Sequence, residues 1–277
     1  MPQKPYFYGG CMAYEMPFFE RYIKEQSEAA DGVENVIYGG KRVGNYEEYK
    51  KYYELNERLL KDLIDGKHLG LWNFIPDFHV AAANQSVISH AIKVTKITSD
   101  TKHEFWLRAY LALHLYSDFY ELLWKEYKQL CKKLPTATEK ESPFTTIRKE
   151  YPYSVPLFDY CVNKYRTAVS HAMYLITDKQ LFIYPTDRKT AEEIKSDDLT
   201  NHFNNEFLLY NALFVSRLRL ENSYFAYVSR EKAKTNQRFV EETERIFREY
   251  YERPAFKSPE DFLETYGKLL EENIPKP

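Results

Sequence analysis

The stretch Pro156–Tyr184, PLFDYCVNKYRTAVSHAMYLITDKQLFIY, decides how the chain reads. Its first half is amphipathic and carries Arg166 and His171 in the spacing R-x4-H. The apolar runs Tyr174-Leu175-Ile176 and Leu181-Phe182-Ile183-Tyr184 follow, separated by the polar turn Thr177-Asp178-Lys179-Gln180. Helical periodicity that gives way to two short β-prone runs around a polar turn predicts a helix and then a small hairpin over Leu175–Tyr184. Five residues of helix separate Arg166 from His171, about 7.5 Å along the axis and about 140° around it. A long arginine side chain can still reach toward the cleft that the histidine faces.

Outward from that stretch the pattern is helical. Asn45 is an expected N-cap for NYEEYKKYYELNERLLKDLIDG, with Glu47 and Glu48 in the first turn, Gly66 as its stop, and a stripe of Tyr52, Leu55, Leu59, Leu63 and Ile64. Before it, Met16–Ala30 has helical composition and is expected to end ahead of Asp31-Gly32. The two glycine turns around Val33–Gly44 suggest a short hairpin there. Asp77–Thr98 reads as a helix whose Ala81, Ala82 and Ala83 suit close packing. Thr101 is expected to cap the strongest helix, running on to Leu134 and apolar over most of its circumference. Leu134–Pro156, with four prolines, reads as a long connection. Ser196–Arg219 and Asn222–Tyr251 read as two further helices, and Ser258-Pro259-Glu260-Asp261 opens a short C-terminal one ending near Asn273. The fold class is all-α (mainly α): a helical region over 1–100, a helical domain over 101–255 and a terminal helix over 256–277.

Composition narrows the function classes. The chain has 277 residues, 44% hydrophobic, 29% charged and 17% aromatic, enough for a sizeable core and unlike a disordered chain. A formal net charge of −2 supplies no overall electrostatic footprint for nucleic acid, so any such site must be a local groove. Apolar runs are broken by charge well short of about 18 residues, so no membrane span is expected. Met1–Gly10 lacks a basic region followed by an apolar one, so no signal peptide is expected either. Cys11, Cys131 and Cys161 are odd in number and far apart, which fits thiols in a reducing cytoplasm.

Few residues compete for chemistry. His79 and His90, like His103 and His114, stand eleven apart, about 16 Å of helix and too far for one ion. No H-E-x-x-H or C-x-x-C occurs, so no metal site and no cofactor are expected. Gly39–Gly44 lacks the spacing and the Lys-Ser/Thr pair of a phosphate loop. His114 is expected to be a hydrogen-bonded core histidine, while Asp118 and Glu121 on the same helix either line a cleft near the helix of Arg166 and His171 or serve as surface or capping charge. Arg217 and Arg219, or Arg230, Lys232 and Lys234, could track a phosphate backbone, and solvated helix faces explain them equally well.

Arg166 and His171 together suit RNA cleavage without a metal. That reaction needs a base for the 2′-hydroxyl, an acid for the leaving 5′-oxygen and a cation for the charged phosphorane. Histidine titrates in the range for the first two tasks, and arginine offers a permanently charged planar fork for the third. One helix supplies one histidine, so a symmetric dimer would supply both the base and the acid.

The run Tyr165-Arg166-Thr167-Ala168-Val169-Ser170-His171-Ala172, with the hairpin pattern after it, resembles the HEPN superfamily over roughly Lys102–Tyr251. The resemblance implies a HEPN-like helical bundle with an N-terminal helical extension. It also implies metal-independent endoribonuclease activity of the kind found in toxin and phage-defence systems, with Arg166 and His171 as catalytic pair. Thr167 stands where the family typically has asparagine, and Thr167, Asp118, Glu121 and Tyr174 are the expected supporting residues. Single-stranded or loop RNA, a second copy of the chain in a homodimer, and an antitoxin or regulatory protein are the implied partners. The alternative is a non-catalytic HEPN-like module that binds a nucleotide or a protein. A helical scaffold without that kinship, with His171 buried away from any cleft, is the third reading.

Overall fold

In the computed structural model the described residues are 15–39, 46–66, 104–132, 134–138, 140–177, 179–184, 190–252 and 259–273. Their helices are α1 (Pro17–Gly39), α2 (Tyr46–Asp65), α3 (Glu104–Cys131), α4 (Pro143–Glu150), α5 (Asn163–Ser170), α6 (Ser196–Ala233), α7 (Gln237–Glu252) and α8 (Pro259–Asn273). A 3-10 helix spans Pro152–Phe158, and the strands are β1 (Tyr174–Ile176), β2 (Leu181–Ile183) and β3 (Glu192–Ile194). The protein is mainly α: the described residues are 79% helical and hold one small sheet. No helix among the described residues is long and apolar enough to cross a membrane. The helix expected over Asp77–Thr98, the caps at Asn45 and Thr101, and His79, His90 and His103 lie outside the described residues.

The chain divides into two compact units, each discontinuous in sequence: 1–32, 74–78 and 217–277 in the first, 33–73 and 79–216 in the second. The three consecutive segments read from the sequence remain an expectation about domains; the units describe compactness.

In the first unit an aromatic cluster forms the core. Phe19, Tyr22, Phe247, Phe262 and Tyr266 meet mostly edge to face, with ring centroids 4.8 Å apart for Phe247–Tyr266 and 5.1 Å for Phe247–Phe262. The start of α1 is capped from outside the helix: the Glu244 carboxylate accepts from the Phe18 and Phe19 N–H groups at 3.1–3.2 Å. Asn236 caps α7 through the Phe239 N–H at 3.0 Å.

In the second unit α3 lies against α2, α4, α5 and α6. Tyr116, Phe119, Leu123 and Tyr127 on it are fully buried. Polar tips are satisfied across the core: Tyr127 donates to Asn56 Oδ1 at 2.6 Å and Tyr52 to Asn205 Oδ1 at 3.0 Å. Tyr116 donates to the Tyr160 carbonyl at 2.7 Å and receives the Val162 N–H at 2.6 Å, fixing the chain where it enters α5. The strands form an antiparallel meander ordered β1-β2-β3, with Tyr174 opposite Ile183 and Leu181 opposite Ile194. The expected hairpin is there, and β3 adds a third strand to it.

Four boundaries differ from the reading of the sequence. Helix α1 does not stop before Asp31-Gly32: it runs on to Gly39, with Gly32 in open space on its surface, so the described part of the expected hairpin stretch, 33–39, is helical. The break expected near Asn222 falls at Lys234–Asn236. Asn222 is buried within α6, its amide 3.4 Å from Ser27 Oγ, so it serves packing and caps nothing. The connection Leu134–Pro156 is not a bare loop: it holds α4 and most of the 3-10 helix, with Phe144, Ile147 and Ser154 buried. Finally, α5 is only 8 residues long and ends before His171.

Candidate active site

Helix α5 is helical because Tyr165 and Ala168, three apart, turn inward, Tyr165 making an edge-to-face contact with Tyr116 of α3 at 5.1 Å. The intervening Arg166 and Thr167 are half-buried at the rim. Lys164 pairs with Glu192 at 2.6 Å, tying α5 to β3.

The helix ends in a Schellman turn without glycine. The Met173 N–H reaches the Ala168 carbonyl at 2.8 Å and the Ala172 N–H the Val169 carbonyl at 3.2 Å. Ala172 takes the left-handed conformation, φ 50°, that this turn demands. His171 is the C-cap, with φ −112° and ψ 10°, held by its own N–H to the Thr167 carbonyl at 3.1 Å. Its imidazole is exposed and meets no hydrogen-bond partner among the described residues.

Arg166 points to α3. Its Nε–H donates to the Glu121 carboxylate, and both side chains remain about one-third exposed. That pair forms one wall of a cleft of about 280 Å³, which Tyr120, Trp124, Lys140, Glu141, Ser142 and Asn163 complete. Of the expected supporting residues, Glu121 therefore meets Arg166.

Tyr174 and Asp118 belong to a second group. The Tyr174 hydroxyl and His114 Nε2 share a hydrogen bond of 3.0 Å, and the His114 ring adjoins those of Tyr110 and Tyr174. Asp118, one turn beyond His114 on α3, has its carboxyl drawn upward by partial desolvation, with His114 opposing and Glu121 adding to the shift. Thr167 contributes its carbonyl to the cap of α5. His171 does not line the cleft.

The sequence reading missed Trp124, Lys140 and Asn163 of the cleft, which are brought together only by the fold. It also missed a buried group beside Tyr116 and Cys161. Glu206 is fully buried, and neither carboxyl oxygen finds a partner at hydrogen-bond geometry among the described residues. Burial pushes its carboxyl well above the usual range, with the neighbouring Tyr116 hydroxyl and Cys161 thiol opposing. Burial likewise raises the Cys161 thiol, and Glu206 adds to it. The basic clusters are largely taken up by acids: Arg219 pairs with Asp31 at 3.2 Å, Arg230 with Glu20 at 2.6 Å and Lys234 with Glu231 at 2.5 Å. Among the described residues no three His, Cys, Asp or Glu side chains are grouped to hold a metal ion.

Compared with family models, with curated proteins and with solved structures, the chain finds no match. The class that the fold defines is a mainly α protein, with Arg166 on a short helix paired to Glu121 and His171 exposed just beyond that helix's end.

Proposed function

We propose that this protein is an endoribonuclease of HEPN type, acting in the cytoplasm on single-stranded or loop RNA. The observation that carries the reading is the exposed His171 imidazole one helical turn and a residue beyond a half-exposed Arg166. His171 takes the proton from a 2′-hydroxyl, whose oxygen attacks the adjacent phosphorus. Arg166 holds the non-bridging oxygens as charge builds on them. The 5′-oxygen leaves, and a protonated imidazole supplies its proton, giving a 2′,3′-cyclic phosphate and a free 5′-hydroxyl. Since one chain offers a single imidazole at this position, the reading includes a homodimer whose second His171 acts as the acid. No metal takes part in these steps. A nuclease of this kind needs restraint, and an antitoxin or a phage-triggered regulator is the matching partner.

A second reading draws support from the Arg166–Glu121 ion pair: a half-neutralised guanidinium suits a module that binds a nucleotide or a protein without turnover. Expression of the wild type beside His171→Ala separates the two. Growth arrest and fragmented RNA with wild type alone support the nuclease; equal growth and intact RNA with both support the binding module.

A further inference from the structure

The cleft beside Arg166 has features that the catalytic proposal does not use. Its volume, about 280 Å³, approaches the lower end of small-ligand sites, roughly 300 Å³. Tyr120 and Trp124 lie four apart on α3, and both line it. Lysine is drawn to the face of that indole: Lys128 Nζ sits 4.5 Å from the Trp124 ring centroid.

The lining holds two acids and two bases, and their pairing leaves one base over. Glu121 is bound to Arg166, and Glu141 to Lys149 at 2.5 Å. Lys140 is exposed and forms no ion pair among the described residues. Arg166 commits its Nε–H to Glu121, while its terminal amino groups meet no partner among the described residues. The unmatched charge in the lining is thus positive, and it stands beside an aromatic ring and the side-chain amide of Asn163.

We infer that this cleft holds one nucleotide of a single-stranded RNA, next to the linkage that is cleaved. Trp124 stacks on the base, Lys140 and the terminal amino groups of Arg166 hold the phosphate, and Asn163 meets the base edge. Unpaired bases are held in this way, by aromatic faces and cations rather than by groove reading. The inference rests on the nuclease reading for its substrate, but it concerns binding and not turnover.

The test measures binding of a fluorescein-labelled single-stranded RNA of mixed sequence to the full-length protein, in the His171→Ala background so that no turnover intervenes. Adding Trp124→Ala is expected to weaken binding about 5- to 150-fold, the range for loss of one stacked base. Trp124→Phe is expected to restore most of it, which separates lost stacking from misfolding. Lys140→Glu is expected to weaken binding at least about tenfold and to flatten its salt dependence. Unchanged affinity in both Trp124→Ala and Lys140→Glu overturns the cleft assignment, as does a His171→Ala protein that binds no RNA. RNA that binds through Trp124 and Lys140 but is left uncut by the wild type sustains the cleft and removes the nuclease reading instead.

Discussion

Arg166 of α5 donates its Nε–H to the carboxylate of Glu121 on α3, and the pair stays partly open to solvent. An exposed pair of this sort contributes little to stability, about 0–1 kcal/mol. Its consequence is positional: it fixes one edge of the guanidinium and presents the other. Glu121→Gln is therefore expected to leave the unfolding free energy within about 1 kcal/mol of wild type. Arg166→Lys is expected to lose RNA cleavage nearly as fully as Arg166→Ala, about 100-fold or more, because a lysine lacks the fork. Urea unfolding and a cleavage time course check the two statements. Full activity in Arg166→Lys would contradict the role given to the fork.

The end of α5 carries a conformational cost. Ala172 sits at φ 50°, where a Cβ is unfavourable by about 1 kcal/mol. Ala172→Gly is expected to raise stability by about 0.5–1 kcal/mol, and Ala172→Val to lower it by more than that gain. Equilibrium denaturation of the three proteins decides it; a glycine variant less stable than wild type would show that the left-handed turn is not strained.

Gly32 gives an independent check on α1. It lies inside the helix at an exposed position, and a Cβ added there meets nothing within 4 Å. Gly32→Ala is expected to stabilise by about 0.5–1 kcal/mol. A destabilised variant would argue for a helix that ends before this residue.

Glu206 makes stability depend on pH. Burial raises its carboxyl in the folded chain well above the range of the unfolded one. Between those two values the folded chain keeps a proton that the unfolded chain has released, so stability falls as pH rises through that window. A single group limits the slope to about 1.4 kcal/mol per pH unit. Glu206→Gln abolishes this ionisation, so its stability is expected to decline less than that of wild type between about pH 5 and pH 8. Parallel slopes in thermal melts across that range would show that Glu206 is not held neutral.

Much of the helical framework was legible. The stripe of Tyr52, Leu59 and Leu63 located α2, and Ser258-Pro259 located α8. Ser142-Pro143 is the same kind of helix start, with Pro143 at the first helical position, yet four prolines made Leu134–Pro156 read as a loop. Gly32 and Asn222 carry local signals for breaks, and longer-range packing overrode both. β3 is only Glu192-Glu193-Ile194, too short and too polar to show a period, and it pairs because β2 offers an edge. In the site, Arg166 and His171 stand out by their R-x4-H spacing together with the hairpin pattern that follows them. The cleft was not legible: Trp124, Lys140 and Asn163 are far apart in sequence, and Glu206, next to Asn204 and Asn205 in a mixed helix, carries no local mark of its burial.

The central claim is that His171 and Arg166 cut RNA with no metal. The direct measurement incubates the purified protein with single-stranded RNA in excess EDTA and identifies the new termini by mass spectrometry. Wild type is expected to yield 2′,3′-cyclic phosphates and 5′-hydroxyls, and His171→Ala to lose at least about 100-fold of that rate. Equal cleavage by His171→Ala, or none by wild type that is folded and binds RNA, would contradict it.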